Sequence, residues 1–121
     1  MGERVLVVDC NGEVLDRLST FLGGEGFEVA TARSGEEASR VLRAGPCQFL
    51  MVDAGSPGVD EEGFLEVVRG LELRPRVIAF VSPPSGVNFE RAMRLGADAC
   101  LAKPLNEEAL RYTVRELQAE R

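Results

Sequence analysis

Histidine and tryptophan are missing from this 121-residue chain, tyrosine occurs once and cysteine three times. Without histidine there is no Ser-His-Asp triad, no imidazole general base and no ordinary histidine zinc site. Cys10, Cys47 and Cys100 are odd in number and lack paired metal spacing, so they read as reduced thiols acting as small hydrophobes. No stretch approaches the ~18 apolar residues of a membrane span. Met1-Gly2-Glu3-Arg4 leads straight into a first strand, so a signal peptide and a membrane segment are not expected, and the cytoplasm is the expected location. The net charge is −6 and the isoelectric point near 4.7, and no basic cluster exceeds two residues. That excludes the basic footprint of a nucleic-acid-binding domain. What remains is an acidic chain of ordinary composition, sized for one domain over residues 1–121.

The most informative stretch is Phe49-Leu50-Met51-Val52-Asp53, an apolar run that stops on a carboxylate and opens into Ala54-Gly55-Ser56-Pro57-Gly58. Such a run, bounded by Gly and Pro, reads as a strand buried on both faces. Similar runs recur at Arg4–Val8, Phe27–Thr31, Arg76–Val81 and Ala99–Ala102. Between them lie helical patterns: Val14, Leu15, Leu18, Phe21 and Leu22 before Gly23-Gly24; Ala38, Val41 and Leu42 behind a Ser34/Glu37 capping box; and Phe64, Leu65, Val67, Val68 and Leu71 within Glu61–Gly70. Phe89, Ala92, Met93 and Leu95 place a short helix before Gly96, and Asn106 caps a last one carrying Leu110, Val114 and Leu117.

Five β-α units in strict alternation predict an α/β fold, a three-layer (βα)5 domain with a five-stranded parallel sheet. The flavodoxin-like strand order 2-1-3-4-5 suits five short units and puts a crevice at the carboxyl ends of strands 1 and 3. Four adjacent strands in that order end on polar residues: Asp9, Asp53, Ser82 and, just past strand 5, Lys103. Two carboxylates, a hydroxyl and an ammonium on one edge suit phosphoryl chemistry. A carboxylate can attack phosphorus, carboxylates hold Mg²⁺, and an ammonium and a hydroxyl complement phosphoryl oxygens.

Val5-Leu6-Val7-Val8-Asp9, Asp53 with Pro57 and Asp60, Ser82, Gly96-Ala97 and Lys103-Pro104 together resemble the receiver domain of bacterial response regulators over almost the whole chain. The resemblance implies that Asp53 accepts a phosphoryl group from a histidine kinase or phosphotransfer protein. It implies that Asp9 belongs to the acidic pair for Mg²⁺, that Ser82 is the switch hydroxyl and that Lys103 binds the phosphoryl group. It also implies a cis-proline turn at Lys103-Pro104 that aims Lys103 inward. The face made by strand 5 and the last two helices is implied as the docking surface for an effector domain, a partner protein or a second copy.

Four positions depart from the family pattern. The second member of the acidic pair is Cys10, a soft sulfur where hard Mg²⁺ wants oxygen, leaving Asp9, Asp53 and the Gly55 carbonyl to hold the ion more weakly. Pro83 follows Ser82 and has no N–H for the phosphoryl group. Cys100 stands at the aromatic switch position on strand 5, and Glu61 replaces the Gly that usually follows Asp60. These departures predict a degenerate pseudo-receiver that signals mainly by protein–protein contact, with self-phosphorylation and dephosphorylation at Asp53 as its only catalysis. The alternative is a conventional Mg²⁺-dependent receiver phosphorylated on Asp53. A third reading, a haloacid dehalogenase-like phosphatase with Asp9 as nucleophile, leaves Asp53 without a role and lacks a later acidic motif. Tyr112 is the candidate exposed aromatic on the last helix, and residues 115–121 read either as a terminus or as the start of a linker helix to an effector domain.

Overall fold

The structure, a computed structural model, describes residues 2–82 and 85–120. Its elements alternate without exception: β1 (Arg4–Val8), α1 (Gly12–Gly24), β2 (Glu28–Ala32), α2 (Gly35–Ala44), β3 (Phe49–Asp53), α3 (Glu62–Arg69), β4 (Arg76–Val81), α4 (Gly86–Arg94), β5 (Ala99–Ala102) and α5 (Glu107–Ala119). The strands pair in parallel in the order β2-β1-β3-β4-β5, as expected.

Local chemistry sets most boundaries. Asn11, Ser34, Ser85 and Asn106 each accept a hydrogen bond from the first-turn backbone of the helix that follows, satisfying amides with no partner inside the helix. The Ser34 cap differs in one detail from the capping box read in the sequence: Glu37 Oε1 accepts from the Arg33 N–H, not from that of Ser34 itself. Gly23 and Gly24 do not stop α1, which runs through both, and the left-handed turn falls on Gly26 at φ +96°. β2 therefore begins at Glu28, a residue later than expected, and Phe27 instead packs edge-on against Phe49 at 5.7 Å.

The period-2 alternation of the strands divides the core into two layers. Val5 and Val7, Phe49 and Met51, and Ile78 and Phe80 face α1 and α5, against Leu15, Leu18, Leu22, Leu110, Val114 and Leu117. Leu6 and Val8, Leu50 and Val52, and Val77 face the other way, against Ala38 and Leu42 of α2 and Phe64, Leu65 and Val68 of α3. β3 is buried along its whole length, consistent with its central position. α4 departs from the sequence reading. Ala92 and, just past the helix, Leu95 are buried, but Phe89 and Met93 are 45% and 76% exposed. Its contact with the sheet is narrow, centred on Ala92 against Ala79 and Val81, so apolar residues on its remaining surface stay in solvent.

Candidate functional site

The alternation that builds the core also delivers the site. Asp9 continues the Val5, Val7 series past the end of β1, and Asp53 continues the Phe49, Met51 series. Ser82 extends Ile78 and Phe80, and Lys103 extends Ala99 and Leu101. All four thus fall on the α1/α5 side of the sheet at its carboxyl edge, a consequence of side-chain parity and parallel pairing.

The structure brings three of the four into one cluster. Lys103 Nζ lies 2.5 Å from Asp9 Oδ2 and 3.6 Å from Asp53 Oδ1. Asp9 and Asp53 are both buried, so one ammonium offsets two carboxylates in a poorly hydrated place. Asp9 Oδ1 also accepts from the Asn11 N–H at 2.9 Å. The Lys103-Pro104 peptide is cis, as expected. Ser82 stands one residue past β4, exposed, and makes no hydrogen bond among the described residues. Pro83, with its missing N–H, lies outside the described residues.

Sequence reading missed Ser56. Its hydroxyl donates to Asp53 Oδ2 at 3.3 Å from a buried position in the loop after β3, and its N–H donates to the Asp53 carbonyl. Its position three residues after the Asp is the signal that could have found it, because that spacing lets a turn hydroxyl reach back. Gly55 is in the same turn, and a Cβ added there would sit 3.7 Å from Asp53 Oδ2. Glu61 is the exposed N-cap of α3 without a side-chain cap bond. It lines a cleft of about 650 Å³ between α2 and α3 with Arg40, Arg43 and Gly58. None of the cluster residues lines that cleft. Cys100, in register with Ala79, is exposed on β5.

Cys10 is exposed beside the cluster, and its Sγ and one oxygen each from Asp9 and Asp53 all lie within 4.8 Å of one another. A divalent cation placed here would meet two carboxylates and a thiol. Mg²⁺ prefers oxygen and near-octahedral geometry, so this donor set fits it poorly.

The profile of the response regulator receiver domain family matches residues 5–115 of the chain. Among curated proteins, the transcriptional regulatory protein CpxR homolog of Haemophilus influenzae is 32% identical over 107 residues, covering 88% of this chain and 46% of its own length. The chain spans less than half the length of the curated relatives it matches, and as little as 12% of one. Among solved structures, a CheY-like receiver domain protein from Methanospirillum hungatei superposes with a TM-score of 0.83 at 25% identity, covering 99% of this chain and 96% of the other. The receiver domain of sensor histidine kinase PA1611 from Pseudomonas aeruginosa, which has a magnesium ion coordinated in its active-site cleft, gives a TM-score of 0.84 at 21% identity, covering 96% and 97%.

Proposed function

Because the chain belongs to the receiver-domain family of response regulators, the signal-receiving modules of two-component systems, we propose that it is a degenerate receiver whose output depends mainly on protein–protein contact. The observation that carries this is the Cys10 thiol within 4.8 Å of the Asp9 and Asp53 carboxylates, where a hard ion needs oxygen. With Cys10 in place, Asp9, Asp53 and the Gly55 carbonyl form an incomplete ligand set for Mg²⁺. Lys103 then acts chiefly as the counter-ion of the two carboxylates, holding them in place. Ser56 and Asn11 fix the two carboxylates from behind.

The contact surface in this reading is α4, β5 and α5. Val87, Phe89 and Met93 of α4 and Tyr112 of α5 are exposed on these elements, and exposed apolar groups suit a partner protein, an effector domain or a second copy. The signalling partners are of the histidine kinase or phosphotransfer class, the location is the cytoplasm, and the greater length of the transcriptional-regulator relatives supports continuation into an effector domain.

The second reading, a conventional receiver with Asp53 as phosphoacceptor, is favoured by one observation: Lys103, Asp9 and Asp53 are already gathered. Amide NMR separates the two when Mg²⁺ and then beryllofluoride, a phosphoryl mimic, are added. A degenerate receiver gives little response at millimolar Mg²⁺, and Cys10→Asp restores one at Asp9 and Asp53. Mg²⁺-dependent beryllofluoride shifts in the native chain, spreading from Asp53 to α5, would establish the conventional receiver instead.

A further inference from the structure

We propose that the cleft between α2 and α3 binds a small zwitterion of the ω-amino-acid class, its carboxylate toward Ser39 and Arg43 and its ammonium toward Glu61. The volume of about 650 Å³ is that of a small-ligand site. The cleft has a negative and a positive end. Gly35, at the start of α2, meets Gly58 so closely that an added Cβ would lie 2.5 Å from the Gly58 carbonyl oxygen. The Glu61 N–H donates to that same carbonyl, so Glu61 stands beside the first turn of α2, the turn that carries Glu36. Arg43 is in the last turn of α2, about 10 Å further along the helix axis. That separation favours a ligand whose two charges are several atoms apart over an α-amino acid.

Two observations point to a ligand there. The first is which charges are already matched. Arg40 pairs with Glu36 at 3.2 Å and Arg69 with Glu62 at 3.0 Å. Arg43 and Glu61 line the same cleft from its two ends, and neither has an ion pair among the described residues. The second is Ser39, between those ends. It is 8% exposed, and its hydroxyl has no hydrogen-bond partner among the described residues. A helical hydroxyl can donate to the carbonyl one turn earlier, as Thr113 does to Ala109 at 2.8 Å. Ser39 does not, and it lines the cleft. No fully enclosed side-chain oxygen among the described residues lacks a partner, so Ser39 Oγ opens onto the cleft. A buried hydroxyl left in this state calls for a partner, and a carboxylate shared with Arg43 supplies one. Gly63, on the α3 wall, leaves room for it: an added Cβ there would meet nothing within 4 Å.

The experiment titrates the native full chain with 4-aminobutanoate while amide and guanidinium NMR resonances are followed. Butanoate and butylammonium serve as controls that carry one charge each. Saturable shifts centred on Ser39, Arg43 and Gly63 are expected at millimolar concentrations, the range open to so small a ligand. Each control should bind at least about tenfold more weakly, because it leaves one end of the cleft unanswered. Arg43→Gln and Glu61→Gln change exposed side chains and should each weaken binding about tenfold; Ser39→Ala, which removes only the hydroxyl, should weaken it about threefold to tenfold. No saturable shift by about 50 mM, a control that binds as well as 4-aminobutanoate, shifts centred on Asp9 and Asp53, or unchanged affinity in both charge variants would overturn the proposal. The native-chain comparison with the two controls decides even where a variant folds poorly. The Mg²⁺ and beryllofluoride titration of the Asp53 pocket is a separate measurement, so failure here leaves the reading of that pocket untouched.

Discussion

Lys103→Ala should be the most informative single perturbation of this domain. The Lys103 side chain is 17% exposed, those of Asp9 and Asp53 1% and 12%, and Nζ stands 2.5 Å and 3.6 Å from their oxygens. Removing it leaves two buried carboxylates facing each other. Breaking a buried ion pair from one side costs about 3–5 kcal/mol. Here Asp9 keeps the Asn11 amide, Asp53 keeps the Ser56 hydroxyl and the gap left by Lys103 opens to water. A cost at or just below the bottom of that range, about 2–3 kcal/mol, is therefore expected, a large share of a domain's ~5–15 kcal/mol. In urea unfolding this lowers the midpoint by roughly 0.7–3 M at slopes of ~1–3 kcal/mol/M. Lys103 also lines a small apolar cavity with Val14, Leu18 and Leu110, so Lys103→Met, which keeps the aliphatic stem, separates lost charge from lost packing. The decisive test is a double-mutant cycle with Asp9→Asn. With that charge gone only the looser Asp53 contact remains, and removal of the ammonium should cost under about 1 kcal/mol. An equal cost in both backgrounds would refute the view that Lys103 is held chiefly as a counter-ion.

Two other predictions concern the scaffold and the thiols. A Cβ at Gly35 would lie 2.5 Å from the Gly58 carbonyl oxygen, a backbone atom that cannot rotate away, whereas one at Gly23 meets nothing within 4 Å. Gly35→Ala should destabilise by about 1–3 kcal/mol and Gly23→Ala, inside helix α1, should stabilise by about 0.5–1 kcal/mol; thermal unfolding with the two shifts in the same direction would contradict this. In native alkylation followed by mass spectrometry, Cys10 and Cys100 should react and Cys47 only on unfolding. Burial pushes the Cys47 thiol up, with the Arg4 charge and the Leu6 backbone hydrogen bond opposing it, and burial likewise pushes up Cys100. Native Cys100 labelling should therefore keep accelerating above the ordinary thiol range. Because the unfolded Cys47 thiol ionises before the folded one, its contribution to stability is lost as pH rises through that range. Native Cys47 reacting as fast as Cys100 would refute its burial.

The elements that could be read from sequence are those where one signal dominates. β1 and β4 fall where their apolar runs place them, and the caps at Ser34 and Asn106 form as their residue types require. The sheet order follows from alternation and right-handed crossovers. Misreadings arose where two signals compete. Gly23-Gly24 looked like a helix stop, but neighbouring helical turns carry the chain through to Gly26. Phe89 and Met93 looked like core because they are large and apolar, yet which face of α4 meets the sheet is decided by tertiary placement. At the site, Asp9, Asp53 and Lys103 were legible because each ends or follows a strand. Ser56 was not, because a loop hydroxyl shows its partner only once the turn is built.

The gathering of Asp9, Asp53 and Lys103 does not by itself imply phosphoryl transfer. Once two carboxylates and an ammonium are buried together, loss of one strands the others, so stability alone couples them. Cys10 is under no such constraint. It is exposed in the turn between β1 and α1 and belongs to neither main core layer, so exchanging the thiol there costs no core packing. The exposed member of the site is therefore the one whose identity reports on function rather than on folding. That places the discrimination between a phosphorylated and a degenerate receiver on Cys10, and explains why Cys10→Asp should alter metal response while the added charge beside Asp9 and Asp53 lowers metal-free stability by only about 1 kcal/mol. A Cys10→Asp chain that gains Mg²⁺ affinity but loses stability well beyond that amount would show that site and scaffold are coupled here after all.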